Sequence, residues 1–189
     1  MSRSTDSTLI MVEIALTVAL SAALHFVSIW QMPMGGSVSL DMLPIIVLAV
    51  RRGPGVGILA GALFGVVDYF IEPFFVTWVQ IALDYPVAYG LVGLAGVVAP
   101  LWRRALNQGR SLDGMWPVAA LACLIAVTAR FAAHFTSGVI FFASSAPAGT
   151  PVWAYSALYN ATYLVPAALL IFIPAALLLP GLERAVPSR

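Results

Sequence analysis

The sequence sets one carboxylate, one guanidinium and one imidazole deep inside apolar runs: Asp84 in "IALDYPVAYG", and Arg130 and His134 in "RFAAHFTSG". A charge at the centre of a membrane helix costs about 2.5–3.5 kcal/mol on insertion scales, so such groups are kept for a partner, a ligand or a proton. Arg130 and His134 are four residues apart and share a helix face with Ser137 and Phe141. Arg130 is expected to pair with Asp84, each making the other's burial tolerable. That pair would leave the second carboxylate oxygen free for a ligand. His134 fits either a packing role or a ligand contact, because either ring nitrogen can find a partner. Glu13, Asp41 and Asp68 sit nearer segment ends and are expected to be solvated at the membrane interface.

A second polar series lies in "TPVWAYSALYNATYLVP". Ser156 and Asn160 are one turn apart, with Tyr155, Tyr159 and Tyr163 on the adjoining strip. An interfacial aromatic belt accounts for Trp153 and the outermost ring. The series goes two turns deeper than a belt, beside an amide that needs partners. A polar, aromatic-walled pocket opening outward fits the whole set, with Trp30, Tyr69, Phe74, Phe75, Trp78, Tyr85 and Phe142 fringing its mouth.

The elements that must hold these groups are membrane helices. Of the 189 residues, 61% are hydrophobic and 9% charged, far from the composition of a water-soluble domain. Apolar runs cover 9–30, 38–50, 54–71, 74–101, 115–143 and 152–180. About 20 helical residues cross the hydrocarbon, so "VSLDMLPIIVLAV" spans only if the loop before it dips inward. Every arginine except Arg130 falls at a terminus or in the connections after the second and fourth runs. The positive-inside rule then puts both termini in the cytoplasm. The expected fold is an all-α membrane protein of six transmembrane helices, a single domain over 1–189, multi-pass in the cell membrane. The stretch before Trp30 reads as a first span rather than a signal peptide.

Composition also excludes functions. The chain has no lysine, so it holds no P-loop. HExxH, GxSxG and paired catalytic aspartates are absent from the sequence, and neither an enzyme nor a metal site is expected. One cysteine, Cys123, forms no intrachain disulfide. No basic run suggests nucleic acid. Two small-residue stripes remain: Gly57, Gly61 and Gly65, expected to be internal packing, and Ala15, Ala19 and Ala23, open to docking another subunit.

The stretches "MPMGGSVSLDMLP", "RRG", "LDYPVAYGLVGLAG", "RFAAHFTSGVIFF" and "APAGTPVWAYSALYNATYLVP" resemble the thiamine-specific S component of energy-coupling factor (ECF) transporters. The resemblance runs in order from about Glu13 to Pro166. It implies an outward-facing thiamine site in a six-helix bundle, and a partner module of a transmembrane coupling protein with two cytoplasmic ATPases. It further implies that Asp84 meets the cationic thiazolium and the pyrimidine amine, with Tyr85 beside it. His134, Tyr155 and Asn160 would contact the ligand, Gly138 would admit it to the backbone, and Phe142 with the aromatic fringe would stack on its rings. Ala15, Ala19 and Ala23 would be the docking stripe. Some members carry glutamate at the position of Asp84 and tryptophan at that of Phe142. Two alternatives stand beside this reading: a stand-alone proton-coupled transporter using Asp84, Arg130 and His134, and an S component for another flat heterocycle such as riboflavin.

Overall fold

In lipid every backbone polar group needs an internal partner, so apolar runs of this length close into helices. The computed structural model describes residues 2–109 and 115–185. Helix α1 spans Ser2–His25, α2 Met42–Arg52 and α3 Pro54–Ile71. The fourth apolar run forms one rod over Trp78–Asn107. Within it α4 (Trp78–Ala82), α5 (Ala88–Val92) and α6 (Ala99–Asn107) are separated by a wide π turn at Leu83–Val87 and a tight 3-10 stretch at Gly93–Val98. Helix α7 covers Trp116–Phe141 and α8 Val152–Ala185. Between α1 and α2, strands β1 (Trp30–Gln31) and β2 (Ser37–Val38) pair antiparallel, with Trp30 opposite Val38.

Among the described residues five rods are long and apolar enough to cross a membrane, and the chain is an all-α, multi-pass membrane protein. The remaining helix differs from a sixth full span. The 11 residues of α2 reach about 16 Å, roughly half the hydrocarbon thickness. Nearly all of them are buried, from Met42 to Arg51, which makes α2 a plug inside the bundle. Met42, Ile45 and Ile46 pack there with Phe64, Tyr89, Trp102, Leu164 and Ile171 in one core. At Gly53 the chain turns directly from α2 into α3 with φ at 98°, which side-chain-bearing residues resist. Pro54 then opens α3, where its missing N–H is no loss.

The glycine stripe is internal packing. A Cβ on Gly61 would meet the backbone carbonyl of Tyr89, one on Gly65 that of Tyr85, and one on Gly57 the side chain of Ala49. Backbone therefore lies against backbone where α3 crosses the fourth rod. The alanine stripe behaves differently: Ile14, Thr17, Ser21 and His25 are the buried face of α1, while Ala15, Ala19 and Ala23 are exposed.

Charge is segregated along the bundle. At one end Arg52 donates to Glu13 through Nε at 2.6 Å and Nη2 at 2.8 Å, and Arg103 donates to the carbonyl of Arg51 at 3.3 Å. Glu13, expected to be solvated, is closed into that bidentate pair instead. Arg110 and Arg189, also used for the topology, lie outside the described residues.

Candidate functional site

At the end opposite these arginines a cavity of about 200 Å³ opens between α3, the fourth rod, α7 and α8, with the 32–37 loop over it. Asp84, Tyr85, Arg130, His134, Gly138, Phe142, Tyr155 and Asn160 all border it. The sequence therefore brought together residues from three separate helical rods.

Asp84 is presented by the π turn. Pro86 has no N–H to give the carbonyl of Ala82, and its ring crowds that oxygen; the turn widens, and the amide of Ala88 bonds the carbonyl of Leu83. The carboxylate is then held from outside the turn. Its Oδ2 accepts from Gln80 Nε2 at 2.7 Å and from Ser137 Oγ at 2.8 Å. Its Oδ1 lies 3.2 Å from His134 Nδ1. Gln80 is fixed in turn: its Oε1 accepts from the amide of Val76 at 3.0 Å, and its own amide donates to the capping Thr77 Oγ1 at 3.1 Å.

Arg130 has a different partner from the expected one. Its Nη1 lies 3.7 Å from Asp41 Oδ1, and its Nε donates to His134 Nε2 at 3.2 Å. Its guanidinium carbon sits 4.0 Å over the ring of Tyr89, whose hydroxyl donates to Asp41 Oδ2 at 2.6 Å. The expected Arg130–Asp84 pair is thus replaced by a relay, because the imidazole one turn along α7 stands between the two charges. Asp41 and Asp68, expected at a wet interface, are only 1% and 5% exposed. They face His25, whose Nδ1 is 2.9 Å from Asp68 Oδ1 and 3.9 Å from Asp41 Oδ2, while its Nε2 is 3.3 Å from Glu72 Oε2. The His25–Asp68 approach is an ionic contact without hydrogen-bond alignment.

Several of the expected site residues also have partners within the protein. The hydroxyl of Tyr85 donates to the carbonyl of Glu72 at 2.7 Å and accepts from the amide of Phe74 at 2.9 Å, clamping the loop after α3. Gly138 borders the cavity, and a Cβ on it would run into Ser156 Oγ, so its bareness also serves the contact of α7 with α8. Asn160 is satisfied within the protein: its Nδ2 donates to the carbonyl of Ser156 at 2.9 Å, and its Oδ1 accepts from Tyr163 at 2.7 Å. Phe142 stacks obliquely on Phe74, with ring centroids 5.8 Å apart. Of the expected aromatic fringe, Phe74, Tyr85 and Phe142 border the cavity; Tyr69 packs edge-on against Tyr85 behind it, and the exposed Trp30, Phe75 and Trp78 do not line it.

Reasoning from sequence missed Gln80 and His25, and it placed Tyr159 in the pocket wall without its bonds to the loop. Gln80 had a signal, since it precedes Asp84 by one helical turn. Tyr159 accepts from the amide of Met34 at 3.0 Å and donates to the carbonyl of Gly35 at 3.1 Å, pinning the loop over the cavity. No sequence spacing links residues 125 positions apart.

Comparison with known proteins agrees with this architecture. The family model described as "Thiamine transporter protein (Thia_YuaJ)" matches residues 11–186. The thiamine transporter ThiT of Bacillus subtilis (strain 168) is 39% identical over 184 residues, covering 94% of each chain. The thiamine transporter ThiT of Lacticaseibacillus paracasei is 29% identical over 155 residues, covering 80% of this chain and 77% of that one. The solved structure of ThiT from Listeria monocytogenes superposes with a TM-score of 0.85 at 24% identity, over 95% of this chain and 97% of that one, and shares its fold. With the match covering nearly all of the sequence, this chain belongs to the Thia_YuaJ family of thiamine transporter proteins.

Proposed function

We propose that this chain captures thiamine in the outward-facing cavity and acts as the S component of an ECF transporter. The observation that carries the reading is Asp84: a carboxylate held by an amide, a hydroxyl and an imidazole, beside a cavity walled by tyrosine and phenylalanine rings. Thiamine joins a permanent cation to a flat aminopyrimidine. A charge-assisted contact to the carboxylate and ring stacking suit both halves. The lysine-free sequence supplies no P-loop, so the energy would come from cytoplasmic ATPases through a transmembrane coupling protein. The exposed Ala15, Ala19 and Ala23 stripe supports α1 as the face that docks it.

The test is calorimetric titration of the purified protein with thiamine and with riboflavin. Asp84→Asn is expected to weaken thiamine binding more than about tenfold, the loss of one charge-assisted contact. Ordinary affinity in a folded Asp84→Asn protein would remove the carboxylate from the reading. No tryptophan borders the cavity among the described residues, so heat rather than tryptophan fluorescence is the signal of choice. Vesicles separate the transport mechanisms: an S component binds thiamine without moving it until the ATPases are added, whereas a proton-coupled transporter accumulates it alone.

A further inference from the structure

We infer that Arg130 is a positioning residue that sets the tautomer of His134, and thereby leaves Asp84 with an uncancelled negative charge beside the cavity. A guanidinium carries donors and no acceptor. Its Nε lies 3.2 Å from His134 Nε2, so Nε2 must present its lone pair. The ring's one proton then sits on Nδ1 and points at Asp84 Oδ1, 3.2 Å away. A doubly protonated ring would set N–H against N–H at Arg130.

The consequence is electrostatic. All three groups on Asp84, from Gln80, Ser137 and His134, are neutral donors that orient the carboxylate without neutralising it. The positive charge of Arg130 is answered on its other side, by Asp41 at 3.7 Å, with its guanidinium carbon 4.0 Å over the Tyr89 ring. Arg130 and Asp41 are 4% and 1% exposed, so the pair is shielded from water as well as close. Without Arg130, His134 would be free to take a second proton and become the cation for Asp84, competing with the cationic ligand. The value of this device to binding rests on Asp84 being the partner of thiamine; the tautomer itself does not.

The chain has two histidines, so protein with nitrogen-15-labelled histidine in lipid nanodiscs gives two ring systems, assigned by the signals that His25→Gln removes. Ligand-free wild type is expected to show His134 protonated at Nδ1 and bare at Nε2. Arg130→Gln is expected to convert it to a mixture containing imidazolium, and to weaken thiamine binding about tenfold or more, increasingly as the pH falls. A wild-type His134 protonated at Nε2, or at both nitrogens, overturns the inference without any variant. An Arg130→Gln ring spectrum identical to wild type overturns it as well. Failure of the wild type to bind thiamine would instead sink the functional reading and leave the tautomer standing.

Discussion

Carboxylates around the cavity fall into two kinds according to what faces them. Asp41 has Arg130 at 3.7 Å and His25 at 3.9 Å, and Asp68 has His25 at 2.9 Å. Asp84 is held by the Gln80 amide, the Ser137 hydroxyl and the His134 imidazole, all neutral with the tautomer inferred above, and in the proposed site an arriving cation would complete the charge balance. The place of Asp84 beside a cavity was legible because a carboxylate is rare in so apolar a run. Its partners were only half legible: helical spacing tells which residues share a face, and not which helix stands opposite. Tyr159 is the case where spacing said least. Tyr159→Phe removes both hydrogen bonds that pin the Met34–Gly35 segment, each worth about 0.5–1.5 kcal/mol. Amide exchange across residues 32–37 is expected to quicken severalfold in the ligand-free protein, read by mass spectrometry, with α7 unaffected.

Among the elements, the contact between α3 and the fourth rod is the tightest. Gly57, Gly61 and Gly65 press on the rod from one side and Gly93 and Gly96 on α3 and its turn from the other. Small-residue spacing predicted this packing without naming the partner. Gly61→Leu is expected to destabilise the protein by about 1–3 kcal/mol or more, since Cβ would collide with the carbonyl of Tyr89. Thermal melting in detergent measures it, and a melting temperature equal to wild type would contradict the packing described. The π turn was not legible as such: Pro86 announced an interruption, but a kink, a break and a widened turn all satisfy a missing N–H. The boundaries of α3 agree residue for residue with the apolar run, because Gly53 and Pro54 punctuate its start. The start of α1 and the end of α6 extend further into polar sequence, where a helix already begun continues at little cost, whereas α1 stops at His25, short of the expected end at Trp30, which pairs in β1 instead.

For the whole molecule, Arg51, Arg52 and Arg103 gather at one end, and the cavity, with Arg130 in its wall, opens at the other. This polarity was the most legible feature, since composition and charge placement depend on no particular contact. The proposed docking face belongs to this scale. Ala19→Trp adds bulk to an exposed position of α1 without touching the cavity. It is expected to leave thiamine affinity unchanged and to abolish ATP-driven uptake in vesicles carrying the coupling module. Unimpaired uptake would move the docking face elsewhere.

Helix α2 carries one more implication, for biogenesis. At 11 residues it is too short to rest alone in a bilayer, and the core that houses it includes residues of α7 and α8, synthesised last. A ribosome-bound chain ending before α8 would hold α2 as an unseated guest, lodged beside α3 by the glycine-proline turn. Secure insertion of this early segment would therefore await α8, which ties its membrane integration to a helix made more than a hundred residues later.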